Sequence, residues 1–289
     1  MSYAKPTCLF VGFGQIASRV FEDLSSEIES LVLKRTAREV LPSAVREIFI
    51  GDVADQEAWC SLPDNIDVIL YCVTPSGRSA EAYERVFVRG LEQCVRRFVG
   101  SSSPHIVFVS SSSVFSQDNG EIVDELSAAM PSSPTATVIR QAERILEQSN
   151  LAHTVVRFSG IYGAERLRMV RQVLAREPVL SGSERLSNRI HEDDAVGFLV
   201  FLIQKVLARQ DVEALYIASD SAPVDLNEVY RFIARQLGID ATFIEAGAEP
   251  VRRTGNKRLS NKRMLNTGYG LQYPDYRQGY AEMCARISG

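Results

Sequence analysis

A glycine-containing turn near the start of the chain is the feature that most constrains its fold. The apolar run Cys8–Val11 predicts a buried strand, and it breaks into Gly12-Phe13-Gly14-Gln15-Ile16-Ala17. Val20 and Leu24 then follow Ile16 at the spacing of one helical face. A strand, a G-x-G-x-x-A turn and a helix in this order form the pattern of a dinucleotide-binding site. We therefore predict cofactor contacts at Gly12, Phe13, Gly14, Gln15 and Ile16.

Each residue type in this turn has a physical role. Gly12 permits a tight reversal of the chain, and Gly14 leaves room for the backbone to approach a pyrophosphate. The free N–H groups of the first helical turn, together with the helix dipole, favour an anion at that point.

The second strand ends in basic residues. The segment from Leu31 to Arg38 contains Lys34 and Arg35 and holds no acidic residue. In a Rossmann unit, a basic group at this point accommodates the 2′-phosphate of NADP, whereas an acid holds the 2′-hydroxyl of NAD. The sequence therefore favours NADP(H) over NAD(H), with Arg35 and Arg38 as contacts. The alternative is a basic turn that only faces solvent.

Two further strand ends are predicted to face the cofactor. The run Val45–Asp52 ends in Gly51-Asp52, and Ile66–Val73 stops at Thr74-Pro75-Ser76-Gly77. Doubly wound sheets bind ligands at the carboxyl ends of their strands. Asp52 either accepts a hydrogen bond from the adenine amino group or caps the next helix. The predicted contacts here are Asp52, Val53, Thr74 and Pro75.

The remaining segments continue an alternation of helix and strand. Apolar residues spaced by three and four predict a long helix over Tyr83–Phe98, and Thr135–Gln148 is a further helix. The strand His105–Val109 runs into four serines, of which Ser110 is expected to contact the cofactor, and Leu151–Ser159 is a sixth strand. This order predicts an α/β fold: a Rossmann-like, doubly wound parallel sheet with a smaller C-terminal substrate lobe.

The chain is expected to form two parts. Residues 1–160 are predicted to be the NAD(P)-binding Rossmann domain, to which 189–218 return, and 161–289 are mainly a substrate-binding lobe. In the second part, Asp225–Glu228 reads as a capping box, and Ala241–Ile244 is interpreted as a strand.

Composition narrows the class of protein. A formal net charge of -4 over 289 residues argues against a nucleic-acid binder. Five widely spaced cysteines indicate reduced thiols rather than a disulfide framework or a metal site. Neither a signal sequence nor an apolar run of roughly 20 residues is present, so the prediction is a cytoplasmic protein that acts on a small molecule and not at a membrane.

Taken together, these motifs resemble the extended short-chain dehydrogenase/reductase family of the NAD(P)-dependent sugar-nucleotide epimerase/dehydratase type, and within it the atypical members with a G-x-G-x-x-G/A turn. The motifs that carry the resemblance are the Gly12/Gly14/Ala17 turn, Gly51-Asp52, Ser110–Phe115 in place of S-S-x-x-V-Y, Asp124-Glu125, the R-x-x-x-I-Y-G segment Arg157–Gly163, and Arg189-Ile190-His191 with Asp194.

The resemblance implies a Y-x-x-x-K pair with a glutamate four residues after the lysine, and the chain departs from it. Counting back from Glu143 places Ile139 at the lysine position and Thr135 at the tyrosine position. Proton exchange at a substrate oxygen needs a phenol whose pKa is lowered by a nearby ammonium group. A threonine hydroxyl and an isoleucine cannot supply this chemistry.

Other residues are candidates for the missing roles. Ser111 matches the assisting serine of the family, Ser113 is a second hydroxyl beside it, and Tyr162 lies near the predicted cleft. His191 is either a proton donor or a hydrogen-bonded structural residue. Arg140, Arg157 and Arg189 are either anion ligands for the substrate or members of internal salt bridges.

Two functions follow from these patterns. The first is an epimerase/dehydratase-like oxidoreductase that acts on a polar, nucleotide-linked small molecule with a non-standard proton donor. The alternative is a non-catalytic NADP(H)-binding sensor or scaffold. The helices at Tyr83 and Thr135 resemble the pair through which family members dimerise, so a homodimer is expected unless the protein's own sheet covers both apolar stripes.

Overall fold

A seven-stranded sheet forms the centre of the fold. The structure is a computed structural model that describes residues 5–37, 43–100, 103–180, 185–244 and 255–288. The strands of this sheet are β1 (Thr7–Val11), β2 (Glu29–Lys34), β3 (Glu47–Ile50), β4 (Val68–Tyr71), β5 (His105–Ser111), β7 (His153–Phe158) and β11 (Leu215–Ala218). Their order is β11-β7-β5-β4-β1-β2-β3. Every neighbouring pair from β5 to β3 is parallel. The predicted Rossmann-like doubly wound sheet is therefore confirmed.

The central strands are apolar because they are covered on both faces. All residues of β1 and β4 are buried, so neither strand shows the alternation of apolar and polar residues that is typical of a sheet with one solvent-exposed face. Strand β3 lies at the edge of the sheet, and its residues are mostly exposed. The sequence can therefore specify the inner strands by unbroken apolar runs.

The helices that connect these strands differ in one place from the predicted pattern. The helix expected over Tyr83–Phe98 comprises an α-helical turn α3 (Ala80–Tyr83), a π-helical segment Glu84–Arg89 and α4 (Gly90–Phe98). The apolar stripe continues through all three, which is why the sequence predicts one regular helix. The other helices of this part are α1 (Gln15–Leu24), α2 (Gln56–Cys60), α5 (Pro134–Gln148) and α7 (Glu192–Leu207). No helix in the described ranges is long and apolar enough to cross a membrane.

The described residues divide into two compact units. The first is drawn from residues 1–114, 129–157 and 196–216, and the second from 115–128, 158–195 and 217–289. Residues 115–128, placed by the sequence in the Rossmann domain, belong to the second unit.

Three short pairs of strands and four α-helices build most of the second unit in the described ranges. Strand β8 (Gly160–Tyr162) pairs with β10 (Arg189–His191). The helices of the second unit pack around a buried apolar cluster that includes Tyr162, Val229 and Tyr280. The remaining elements are β6 (Ile122–Val123), α6 (Arg168–Leu174), β9 (Leu186–Ser187), β12 (Val224–Asp225), α8 (Leu226–Gln236), β13 (Arg258–Leu259), α9 (Lys262–Asn266) and α10 (Tyr276–Ser288).

One local prediction in the second unit is wrong, and another is observed. Ala241–Ile244 forms a 3₁₀ helix rather than a strand, because the Asp240 carboxylate accepts hydrogen bonds from the Thr242 N–H and hydroxyl and closes a turn. Asp225 is the N-cap of α8 and accepts from the Asn227 N–H. The predicted start of this helix at Asp225 is therefore observed, and Glu228 Oε1 accepts from the Tyr276 hydroxyl at 2.7 Å.

Candidate functional site

The glycine turn leaves an open space in front of helix α1. Gly12 has φ +82, and its N–H donates to the Leu33 carbonyl at 2.9 Å. A Cβ at Gly12 would lie 2.6 Å from the Cys72 carbonyl oxygen, so the turn admits only glycine. Gly14 is the N-cap of α1 and offers no side chain to the N–H groups behind it, and a Cβ built on it meets nothing within 4 Å. The donor-rich helix start and the free space fit a pyrophosphate.

A cavity of about 370 Å³ extends from this turn along the carboxyl ends of the neighbouring strands. The predicted contacts that line it are Gly12, Phe13, Gly14, Arg35, Asp52, Val53 and Thr74. Gln15, Ile16, Pro75 and Ser110 do not line it, and Ile16 instead packs in the core beneath α1. Arg38 lies outside the described residues.

Sequence reasoning missed Val86, which also lines this cavity. Val86 comes from the π-helical segment, where the pattern of apolar residues is the same as in an ordinary buried helix. No local signal in the sequence distinguishes a cavity-lining valine from a core valine, so only the fold could reveal it.

Asp52 is held at the edge of the cavity by two donors. Its Oδ1 accepts from the Ala54 N–H at 3.0 Å, and its Oδ2 accepts from Arg85 Nε at 3.0 Å. Burial opposes ionisation of this carboxyl, but the Ala54 N–H and the Arg85 guanidinium outweigh it and keep the pKa of Asp52 below its ordinary value. The N-cap of α2 is Asp55, so the alternative in which Asp52 caps this helix is wrong.

A buried carboxylate gathers several predicted site residues into one network. Glu143 Oε1 accepts from Ser110 Oγ at 2.6 Å and from Arg157 Nε at 2.9 Å. Its Oε2 accepts from Arg157 Nη2 at 2.7 Å and from Arg140 Nη1 at 3.2 Å. Arg140 also donates to Glu147 at 2.6 Å. Arg140 and Arg157 thus form internal salt bridges, and the hydroxyl of Ser110 points to Glu143.

The candidate serine hydroxyls Ser111 and Ser113 lie where β5 ends. Strand β5 runs through Ser111, whose Oγ accepts from the Ser113 N–H at 3.2 Å. Ser111 is half-buried and Ser113 is exposed. On α5, Thr135 lies in the first turn and is half-buried, whereas Ile139 is buried in the core. Helix α5 contains neither tyrosine nor lysine.

Tyr162 and His191 face each other in the second unit. They are directly paired in the register of β8 and β10, and their ring centroids are 5.1 Å apart in an edge-to-face arrangement. The Asp193 N–H donates to His191 Nδ1 at 3.2 Å. Burial lowers the pKa of His191, so a neutral ring with its proton on Nε2 fits this contact. Burial raises the pKa of Tyr162 far above the ordinary phenol value, so this residue keeps its proton at neutral pH.

Arg189 borders a second cavity, of about 740 Å³, that lies within the second unit. Its guanidinium carbon lies 5.1 Å from the centre of the Tyr276 ring, and its Nη2 donates to the Ser187 carbonyl at 3.3 Å. Its buried Nη1 has no hydrogen-bond partner in the described part of the chain. The charged residues that line the cavity are Arg166, Arg168, Arg171, Arg189, Glu165 and Glu177. Positive charge therefore exceeds negative charge along its wall.

Comparison with known proteins agrees with the geometry of the first cavity. A family model described as NAD(P)H-binding matches residues 12–188, which is more than half of the chain. The chain belongs to this NAD(P)H-binding family.

Solved structures place this NAD(P)H-binding protein among the epimerases and dehydratases. A candidate NAD-dependent epimerase/dehydratase from Methylobacillus flagellatus is 31% identical, with a TM-score of 0.82 and coverage of 99% of this chain and 100% of that chain. The predicted resemblance to atypical extended short-chain dehydrogenase/reductases is thereby confirmed.

More distant structures share the fold alone. UDP-glucose 4-epimerase from Thermus thermophilus, solved with NAD, is 19% identical, with a TM-score of 0.75 and coverage of 98% of this chain and 99% of that chain. UDP-N-acetylglucosamine 4-epimerase from Methanobrevibacter ruminantium, in complex with UDP-N-acetylmuramic acid, is 15% identical, with a TM-score of 0.78 and coverage of 99% of both chains. No curated protein sequence matches this NAD(P)H-binding protein.

Proposed function

We propose that the protein is an NADP(H)-dependent oxidoreductase of the epimerase/dehydratase type that acts on a polar, nucleotide-linked small molecule. The observation that carries this proposal is the first cavity, whose wall includes both the open glycine turn and the basic end of β2 at Lys34 and Arg35. A dinucleotide with its pyrophosphate at Gly14 would direct its adenosine ribose toward the end of β2, as in other Rossmann folds.

The charge around this cavity favours a phosphorylated ribose. Arg35 lines the cavity and is exposed, so it is free to approach a 2′-phosphate. Among the described residues that line this wall, Asp52 carries the one carboxylate, and Arg85 neutralises it at 3.0 Å. A 2′-phosphate would therefore meet a guanidinium with little opposing negative charge.

The second cavity supports a polar, anionic substrate. Its arginines outnumber its glutamates, and a guanidinium pairs well with the oxygens of a phosphate or a carboxylate. Arg166 is already held by Glu192 at 3.2 Å, so Arg168, Arg171 and Arg189 are the arginines we assign to the substrate. The names of the neighbouring epimerases specify UDP-linked ligands, which agrees with a nucleotide-linked substrate here.

The protein must also move a proton at the substrate oxygen. A bound nicotinamide supplies or accepts the hydride, and the chain supplies the proton donor. Ser111 and Ser113 offer hydroxyls in the first unit, whereas the second unit offers the Tyr162 hydroxyl and the Nε2–H of a neutral His191. Because burial raises its pKa, Tyr162 stays protonated and can donate a hydrogen bond to the substrate oxygen, but it is a weaker acid than a phenol activated by an ammonium group.

A fluorescence titration with NADPH and NADH tests the cofactor. A charge-assisted contact contributes about 1.5–3 kcal/mol, so we expect NADPH to bind at least about tenfold more tightly than NADH. Arg35→Ser should remove this preference and leave NADH binding unchanged. Arg46→Ser, which removes an exposed arginine that pairs with Glu29, is the matched control and should behave as wild type. Equal binding of NADH and NADPH by the wild type would contradict the proposal.

Turnover is tested separately. The protein is incubated with NADP+ or NADPH and a panel of UDP- and dTDP-linked sugars, and the products are followed by mass spectrometry. Conversion of a nucleotide sugar that is lost in Arg189→Met, with NADPH affinity intact, supports the assigned substrate cavity. Tight NADPH binding without conversion of any sugar nucleotide would favour the non-catalytic binding protein instead.

A further inference from the structure

The π-helical segment Glu84–Arg89 forms one wall of the cofactor cavity. The buried Tyr71 hydroxyl donates to the Val86 carbonyl at 2.5 Å and so satisfies an acceptor in this segment. Gly90, directly after the segment, lets the helix pack closely, because a Cβ there would overlap the Tyr71 hydroxyl and lie 2.8 Å from Val53 Cγ2. Val53 and Val86 both line the cavity, so this packing sets its shape.

The same segment carries Arg85 to the Asp52 carboxylate. Arg85 Nε donates to Asp52 Oδ2 at 3.0 Å, and Arg85 Nη2 donates to Asp55 Oδ1 at 3.2 Å. The Ala54 N–H occupies one position on Asp52 Oδ1 at 3.0 Å. Each carboxylate oxygen of Asp52 therefore has one donor and retains capacity for another. Held from two sides, the carboxylate has a fixed orientation at the cavity wall.

We propose that Arg85 is a positioning residue for purine recognition: it orients Asp52 so that this carboxylate accepts the 6-amino group of the adenine of a bound dinucleotide. The ligand class that fits is a dinucleotide of a 6-aminopurine, and Val53 and Val86 offer apolar contacts beside the ring. The proposal rests on the cofactor cavity of the proposed function, but it is independent of the choice between NAD and NADP.

The chemistry predicts a specific discrimination. A 6-amino group donates a hydrogen bond, whereas the 6-oxo group of hypoxanthine presents an acceptor to the carboxylate. A site built to bind a donor loses the hydrogen bond and leaves two acceptors face to face when that donor is replaced. The oriented Asp52 should therefore disfavour the hypoxanthine analogue. Without Arg85, the carboxylate can rotate about its side chain and the discrimination should fall.

The test compares dissociation constants for NADPH and for reduced nicotinamide hypoxanthine dinucleotide phosphate, measured by cofactor fluorescence. A hydrogen bond to a charged group corresponds to about 1.5–3 kcal/mol, so the wild type should bind NADPH at least about tenfold more tightly than the analogue. Arg85→Leu should reduce this ratio to below about threefold, and Arg85→Lys should recover part of it. Arg89→Leu is the matched control, because Arg89 lies on the same π-helical segment and pairs with Glu84 rather than Asp52.

Two results would overturn the proposal. The first is an unchanged ratio in Arg85→Leu, including the case in which the affinity for both dinucleotides falls equally. The second is no preference for adenine in the wild type. NADPH and its hypoxanthine analogue both carry the 2′-phosphate. If the protein does not prefer NADPH, the NADPH/NADH ratio will show it, and the comparison of adenine with hypoxanthine is unaffected.

Discussion

Arg157 donates two parallel hydrogen bonds to Glu143, at 2.9 Å from Nε and 2.7 Å from Nη2, and both side chains are buried. Ser110 and Arg140 occupy the remaining acceptor positions of this carboxylate. The network ties α5 to β5 and β7, which are the elements that carry Thr135 and the serine cluster. It therefore serves to place the helix on which the family's proton-transfer pair would lie.

Glu143→Gln should destabilise the protein strongly. The substitution leaves the buried Arg157 guanidinium without a counter-charge, and removing one partner of a buried pair costs about 3–5 kcal/mol in the free energy of unfolding. Glu147→Gln is the control, since Glu147 also pairs with Arg140 but is half exposed, and it should cost less than about 1 kcal/mol. Urea denaturation measures both. If the free energy of unfolding of Glu143→Gln lies within about 1 kcal/mol of the wild-type value, the pair does not hold α5 in place.

The sequence could predict the strands and the first turn because their signals are local. Unbroken apolar runs mark β1 and β4, and the spacing of Gly12 and Gly14 is contained within a few residues. The internal role of Arg157 could not be predicted in the same way. Its partner Glu143 lies on another element, and a sequence shows an arginine without showing which carboxylate it meets.

The π-helical segment and the second cavity escaped prediction for related reasons. A π-helical segment keeps its apolar residues facing the core, so Val86 and Phe87 resemble residues of an ordinary helix. The second cavity combines Arg189 with Arg171 and Tyr280, which are distant in the chain. Such groupings follow from tertiary packing, and the spacing of residues along the sequence does not predict them.

The two glycines of the turn should respond differently to substitution. Gly14 has φ -88 and ψ -173 and open space around its missing Cβ, so Gly14→Leu should fold with a change in stability below about 1 kcal/mol. The new side chain fills the space assigned to the pyrophosphate. NADPH affinity should therefore fall at least about tenfold, the equivalent of one charge-assisted hydrogen bond or more.

Gly12→Ala provides the contrast. At φ +82, and with its Cβ 2.6 Å from the Cys72 carbonyl oxygen, an alanine strains the backbone and should lower the free energy of unfolding by about 1–3 kcal/mol. Thermal denaturation and NADPH titration separate the two effects. Unchanged NADPH affinity in Gly14→Leu would show that the pyrophosphate does not occupy this turn.

Asp220 should make the stability of the protein depend on pH. Its side chain is fully buried, and its Oδ2 has no hydrogen-bond partner among the residues that the structure describes. Burial raises the pKa of Asp220 from 3.8 to about 7; Arg189 opposes this rise, whereas Asp275 and Asp194 add to it. Between about pH 4 and pH 7 the folded state therefore keeps a proton that the unfolded state has released.

The sign of the effect follows from this difference in bound protons. Because the folded state binds more protons in this window, the free energy of unfolding falls as pH rises, by up to about 1.4 kcal/mol per pH unit. This loss of stability from ionising the buried Asp220 carboxyl is absent below about pH 4 and complete above about pH 7. Asp220→Asn removes this ionisation. Between pH 5 and pH 8, the free energy of unfolding of the variant should therefore rise by about 2–3 kcal/mol relative to that of the wild type. Urea denaturation across this range measures the gain, and Asp211→Asn, at an exposed site, should follow the wild-type profile. Parallel profiles for wild type and Asp220→Asn would mean that Asp220 is ionised throughout and that Arg189 compensates for its burial.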